Sequence, residues 1–463
     1  MQYSSESKTK ADKVSFICNM YIVSTLLEPL LLFVIFERET SGVGGNISRI
    51  FQIIVVLYLI LEFIKGKKIK FNNIDTAGKV YLNYWLYITL ALFAGLYGFA
   101  TGAYDLPITY DKYVEISLFS AFVNNHYIRP LFEYFVNIYY FVYYVMIFQY
   151  FIYKEDVIKY YFKMFKKIFT LSFLLGILDM GILYFFDVDL IPRHIADGVN
   201  VGLRFHGLAG EPRDAFVYLF FGLAILYLDS FFNKEKINNY WIVAIILAAL
   251  LTQSASGLVG ILIFIALYTV YNVISLNIFL KFYKFIILLI VSIGGIFLMI
   301  DNSDRIVIYL DGIMNLWHFL SMNAILPYGM LEQKDNIYPI YDMYLKIDNL
   351  DLISIFVGNG FGTASIINNI YSPGEYILSN PHSQLVRIIY EGGLIGFLLY
   401  VLTFTYPIKF YSKHIPYENK NEFIILILLL LSCTLAHRSS ANFIFLGLFI
   451  SVFNNIKLRR FKK

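Results

Sequence analysis

Runs of about 15 to 23 apolar residues, separated by short polar stretches, recur from one end of this chain to the other, and each is long enough for a helix to cross about 30 Å of hydrocarbon. The bilayer core offers no water to hydrogen-bond a bare backbone, so a spanning segment must satisfy its own amides, which a helix does unaided. The weakly alternating ten-residue segments of a membrane barrel are absent. Composition agrees: 59% of residues are hydrophobic and 15% charged, against about 25% charged in a soluble domain. The expected fold is therefore an all-α polytopic membrane protein, a single multi-span domain over residues 1–463.

Twelve spans are expected, near residues 14–36, 50–65, 80–99, 131–152, 168–186, 215–231, 240–253, 257–276, 284–300, 389–407, 423–436 and 442–455. The first run, Val14 to Phe36, is too long for a signal-peptide core and reads as a retained span. Lysine and arginine in short loops resist translocation. The clusters at Lys8 to Lys13, Lys65 to Lys79, Lys154 to Lys167 and the C-terminal tail then put both termini in the cytoplasm. Of the 37 basic residues, 25 fall inside, and 23 of those are lysine. Of the 12 outside, nine are arginine: Arg38, Arg49, Arg129, Arg193, Arg204, Arg213, Arg305, Arg387 and Arg438. Guanidinium groups grip phosphate with two parallel bonds where lysine offers a point charge. For Arg38, Arg49 and Arg129 the competing reading is that they snorkel to lipid headgroups.

The net charge of +4 points to no nucleic acid. Cys18 and Cys433 both lie within apolar runs, so neither a disulfide framework nor a zinc site is expected. Asp187 and Asp189 have the spacing of a metal-bound nucleotide-sugar site, but they fall on the outer side, where no nucleotide sugar is available. No metal and no cofactor are expected.

Three outer segments are long enough to build a site: about 100–130, 187–214 and 301–388. The last is read as one large periplasmic loop between spans nine and ten, folded across the outer mouth, with helical patterns at Val307 to Leu320 and Leu350 to Val357. The second gathers Arg193, His194, Arg204, His206, Glu211 and Arg213 among glycines, a composition suited to an anion with several oxygens. At the end of the third, His382 precedes Arg387 and a run into the next span. A histidine near neutrality can take a proton from a hydroxyl, and an arginine can neutralise a leaving phosphate. Ser254, Ser256 and Arg438, on short turns at the same face, are candidates to line a sugar-binding cleft.

Four pieces, in this order, resemble the O-antigen polymerase and ligase superfamily of bacterial envelope glycosyltransferases. They are the Arg204 to Pro212 stretch, the Thr252 to Gly257 turn, the Gly358-Asn-Gly-Phe-Gly362 cluster, and His382-Ser383 followed after nine positions by Gly393 and then Gly396. The resemblance implies a GT-C-like arrangement in the bacterial inner membrane and a surface-polysaccharide polymerase. Such an enzyme joins undecaprenyl-diphosphate-linked repeat units at the periplasmic face, as a step of lipopolysaccharide biosynthesis. It makes Arg204 and Arg387 diphosphate-binding residues and His382 the base; Arg193 and Arg213, for the diphosphate, and Glu211, as the alternative base, are added from the composition of the 187–214 segment. His206, Ser254, Ser256 and Arg438 would line the substrate cleft. The implied partners are the lipid-linked oligosaccharide, the bilayer and, as a further candidate, a chain-length regulator protein. Ala255 stands where ligases commonly carry arginine, which favours a polymerase. The runner-up readings are a ligase that transfers glycan to lipid A-core and a lipid-linked oligosaccharide flippase.

Overall fold

Two helices, Pro212–Asn233 and Ala441–Phe461, are apolar around most of their circumference, a pattern that suits a position enclosed by other helices. In the computed structural model of this chain they take that position. Residues 15–30, 34–36, 45–67, 75–102, 122, 125–188, 190–191, 204–235, 237–274, 334–371, 381, 383–411 and 417–461 are described.

In chain order the elements are α1 (Phe16–Leu27), an antiparallel pairing of β1 (Val34–Phe36) with β2 (Gly45–Asn46), α2 (Ser48–Ile64) and α3 (Asp75–Ala100). Then come α4 (Ile128–Phe151), α5 (Glu155–Phe186), a 3₁₀ turn at Gly207–Ala209, α6 (Pro212–Asn233), α7 (Asn239–Leu251) and α8 (Ala255–Ile274). Three helices, α9 (Lys334–Asp348), α10 (Leu352–Val357) and α11 (Ala364–Tyr371), precede α12 (Gln384–Tyr411), α13 (Tyr417–Ala436) and α14 (Ala441–Phe461). Local chemistry sets several boundaries. Ser15 Oγ accepts from the Cys18 amide at the start of α1, the usual service of an N-cap serine. Pro212 opens α6, where its missing N–H costs nothing, and Asp187 closes α5 in the left-handed conformation.

Among the described residues, α3, α4, α5, α6 and α12 are long and apolar enough to cross a membrane; α1, α7, α8, α13 and α14 contribute shorter apolar stretches. The expected span at 284–300 lies outside the described residues; the one at 14–36 is helical over Phe16–Leu27 and then holds β1 at Val34–Phe36, and each of the others falls on a helix. Burial separates centre from rim: 78% of the apolar window of α6 is buried, against 28% for α5 and 33% for α3. The rim helices turn apolar stripes outward, as at Leu82, Leu86, Leu90 and Phe93 of α3.

Halfway along α4, Val142–Met146 widens into a π turn, a feature that collects at functional sites. The Tyr143 carbonyl there accepts from the Tyr21 hydroxyl at 2.7 Å. Helices α9, α10 and α11 fall within residues 301–388, pack on one another and seat themselves on α12. Asp342 accepts from the Tyr390 hydroxyl at 3.0 Å, and Lys346 pairs with Asp342 at 2.6 Å while its ammonium sits over the Tyr390 ring. The Val307 to Leu320 pattern lies outside the described residues.

Candidate functional site: a buried arginine cluster at a broken helix

The site is organised by a break in α12. Gly393 adopts φ 61°, ψ −167° inside the helix, a conformation open essentially to glycine alone. A Cβ there would collide with the Phe356 carbonyl oxygen. Breaking a helix orphans the carbonyls of the preceding turn, and the segment after α10 meets them. The Asn359 amide donates to Tyr390 O at 3.0 Å and the Gly360 amide to Glu391 O at 3.1 Å. The Tyr87 hydroxyl of α3 sits 2.7 Å from Gly392 O and 2.8 Å from Val357 O. The Gly358 to Gly362 cluster and the Gly393 element, distant in sequence, are thus in direct contact.

The half-helix ahead of the break carries Arg387 and, one turn on, Glu391, paired at 3.2 Å. Phe361 packs its ring 5.6 Å from the Arg387 guanidinium. On the other side Arg387 reaches Glu133 of α4 at 3.3 Å. Glu133 also holds Arg129 at 3.2 Å and Arg438, from the turn between α13 and α14, at 2.7 Å. Among the described residues, three guanidiniums, Arg129, Arg387 and Arg438, face two carboxylates, Glu133 and Glu391. Arg387, Glu133 and Glu391 are almost wholly buried, whereas the Arg438 side chain is 30% exposed. Charges held this deep persist only when paired, and each of these guanidiniums is paired with Glu133.

The cluster borders a small cavity of about 30 Å³, room for one or two waters. Tyr84, Asn137, Tyr140, Gln384, Tyr400 and Ser439 complete its lining. The buried Oε1 of Gln384 has no protein hydrogen-bond partner among the described residues. In this closed form the cavity admits water and excludes a sugar.

A second polar group lies around the start of α6. Arg204 donates from Nε to Thr252 O and from a terminal nitrogen to Gln253 O, both at 2.9 Å, and so ties the 204–206 strand to the turn between α7 and α8. Ser254 Oγ accepts from the Gly257 amide at 3.3 Å. Arg213 pairs with Glu211 at 2.5 Å. His206 is buried with Nε2 3.0 Å from Asp179 Oδ2; the other oxygen of Asp179 accepts from the Leu190 and Ile191 amides. One bridge joins the two groups: Asp214, in the first turn of α6, meets His437 Nε2 at 2.9 Å, and the next residue is Arg438.

Of the expected site residues, Arg387 and Arg438 line the cavity, and Arg204, His206, Glu211, Arg213 and Ser254 gather around α6 instead. His382 and Arg193 lie outside the described residues, as does the Ser256 side chain; Pro381 and Ser383 flank His382, and Ser383 is buried beside Leu435. Asp187 is a helix cap, and Asp189 lies outside the described residues. Comparison with protein-family models and with curated proteins finds no match.

Sequence reasoning missed the carboxylates that organise the cluster. Glu133 and Glu391 follow Arg129 and Arg387 by four residues, so each pair shares one helix face. A carboxylate placed in an apolar span is costly unless it is paired and functional, which was the available signal. Arg129 is buried against Glu133 rather than free to snorkel, and Arg49 is bound to Glu28 at 2.9 Å. Arg38 lies outside the described residues.

Proposed function

We propose that this protein is a polysaccharide polymerase that joins undecaprenyl-diphosphate-linked repeat units, and that the Arg387–Arg438 cluster receives the diphosphate. The observation that carries the reading is the convergence of three guanidiniums, Arg129, Arg387 and Arg438, on one buried carboxylate beside a helix break, with Phe361 packed against Arg387. As the glycosidic C–O bond to the diphosphate breaks, negative charge grows on the leaving oxygen. Guanidiniums fixed nearby stabilise that state more than the ground state. The diphosphate, on entering, takes over bonds that Glu133 and Glu391 hold in the closed form. The acceptor hydroxyl forms the new C–O bond and gives its proton to His382, with Glu211 as the alternative base. Gln384 Oε1 is placed to accept from a sugar hydroxyl. Arg204 and Arg213 attend the same substrate from the α6 side, with His206 and Ser254; Arg193 and Ser256 are further candidates to contact it.

In this reading the chain has twelve spans in the bacterial inner membrane with both termini in the cytoplasm, and residues 301–388 join spans nine and ten from the periplasmic side. The test is in vivo. Loss of the protein should leave single repeat units on the lipid core, where loss of a ligase would leave none and loss of a flippase would trap units facing the cytoplasm. Arg387→Lys and Arg204→Lys should each lower polymerisation by about 10²-fold or more, the scale seen when one charge-stabilising donor is removed. Normal long-chain glycan from both variants would overturn the assignment.

A further inference from the structure

Helix α10 and the segment behind it reach a depth that a surface loop does not. Two rulers measure it. The Tyr87 hydroxyl holds the Val357 carbonyl, and the Phe361 amide donates to Ala91 O at 3.1 Å. Tyr87 and Ala91 lie 13 and nine residues from the end of α3 at Ala100, which at 1.5 Å per residue is about 20 and 14 Å along the helix. The Gly392 carbonyl that shares the Tyr87 hydroxyl lies eight residues from the start of α12 at Gln384, or about 12 Å. Both α3 and α12 are long and apolar enough to cross a membrane, so residues 357–361 sit well inside the layer those helices cross.

The outward side of α10 is apolar and open: Leu352 is 58% exposed, Ile353 75%, Phe356 50% and Val357 42%. The adjoining rim is of the same kind, with Leu86, Leu90 and Phe93 of α3 and Leu394, Ile395 and Leu398 of α12 exposed. The charges of this region gather before α10, at Lys346, Asp348 and Asp351. Irregular backbone at membrane depth is tolerated where protein meets its polar groups. Here Tyr87, Tyr390, Glu391 and Ala91 do so.

We propose that residues 352–363 form a re-entrant segment, with the apolar face of α10 against lipid acyl chains and Phe361, which follows it, lining the arginine cavity. Lipid hydrocarbon is the occupant because the face is continuous with the apolar rim of two spanning helices and lies at their depth. The inference stands independently of which glycan, if any, the cavity receives.

The test uses the full-length protein in lipid nanodiscs. Ile353→Cys, and separately Phe356→Cys, carries an environment-sensitive thiol label, with Asn349→Cys as the site at the water end; Cys18 and Cys433 are buried. Brominated phosphatidylcholine should quench the labels at 353 and 356 several-fold more than the label at 349, with the order reversed for aqueous iodide. Iodide quenching at 353 and 356 equal to that at 349 would overturn the proposal. So would shielding of both labels from lipid and iodide alike, which would mean that protein covers the face. Both positions are exposed, so neither substitution removes core packing.

Discussion

Replacing Glu133 by glutamine keeps the side-chain shape and removes the one negative charge that Arg129, Arg387 and Arg438 share. At the observed separations of 2.7 to 3.3 Å and an effective dielectric constant of about 20, each contact is worth about 5 to 6 kcal/mol before desolvation. Burying the charges offsets most of that, and removing one partner of a buried pair costs about 3 to 5 kcal/mol. The amide oxygen still accepts one guanidinium bond, and the partly exposed Arg438 is screened by solvent, which puts the expected loss near the lower end, about 3 kcal/mol. That is about a 10²-fold fall in the folded-to-unfolded ratio. The assay is unfolding of the purified protein in mixed micelles with rising sodium dodecyl sulfate, followed by tryptophan fluorescence. A Glu133→Gln variant within about 0.5 kcal/mol of the parent, the range of an ordinary surface change, would refute the reasoning. Adding Arg129→Met should recover about 1 kcal/mol, a coupling expected only of groups in contact; strictly additive losses would show that the two do not interact.

Gly393→Ala should be strongly destabilising, because the strained conformation costs about 1 to 3 kcal/mol and the new Cβ meets the Phe356 carbonyl. Gly392→Ala, whose Cβ would make only an ordinary contact with Tyr87 at 3.6 Å, should be tolerated; equal melting temperatures for the two variants would contradict the break. Hydrogen bonds from Ser354 Oγ and its amide hold Asp351 below the usual aspartate range. This N-cap therefore contributes stability above the unfolded pKa of about 3.9 and loses it as pH falls through the folded value. Hydrogen exchange at Leu352–Val357, corrected for intrinsic rates, should show protection lost on acidification in the parent and already weak at neutral pH in Asp351→Ala.

Periodicity and run length located the helices because both report a physical requirement, a self-satisfied backbone in an apolar layer. Which face of each helix turns inward is decided by partners distant in sequence, and this hid Glu133: nothing near it in the chain announces Arg387 or Arg438. Arg387 itself was legible, since it sits between His382 and the Gly393 element. Arg204 was legible as a site residue by composition, yet its partners are backbone carbonyls of the 252–253 turn, a role that residue type alone does not reveal. The depth of α10 escaped notice for another reason. Six residues, five of them apolar, are too few to register as a span, and only the hydrogen bonds from Tyr87 and to Ala91 record where they lie.

The wide turn at Val142–Met146 separates the part of α4 that carries Arg129 and Glu133 from the part that follows it. Each residue of an α-helix advances the chain by about 100° of rotation, so the turn acts as a phase setting between the two halves. Deleting one of its five residues would let each half remain helical while swinging Glu133 by about 100° out of line with Arg387 and Arg438. The azimuth of the cluster's central carboxylate is thus set by the number of residues in a stretch that bears no charge of its own.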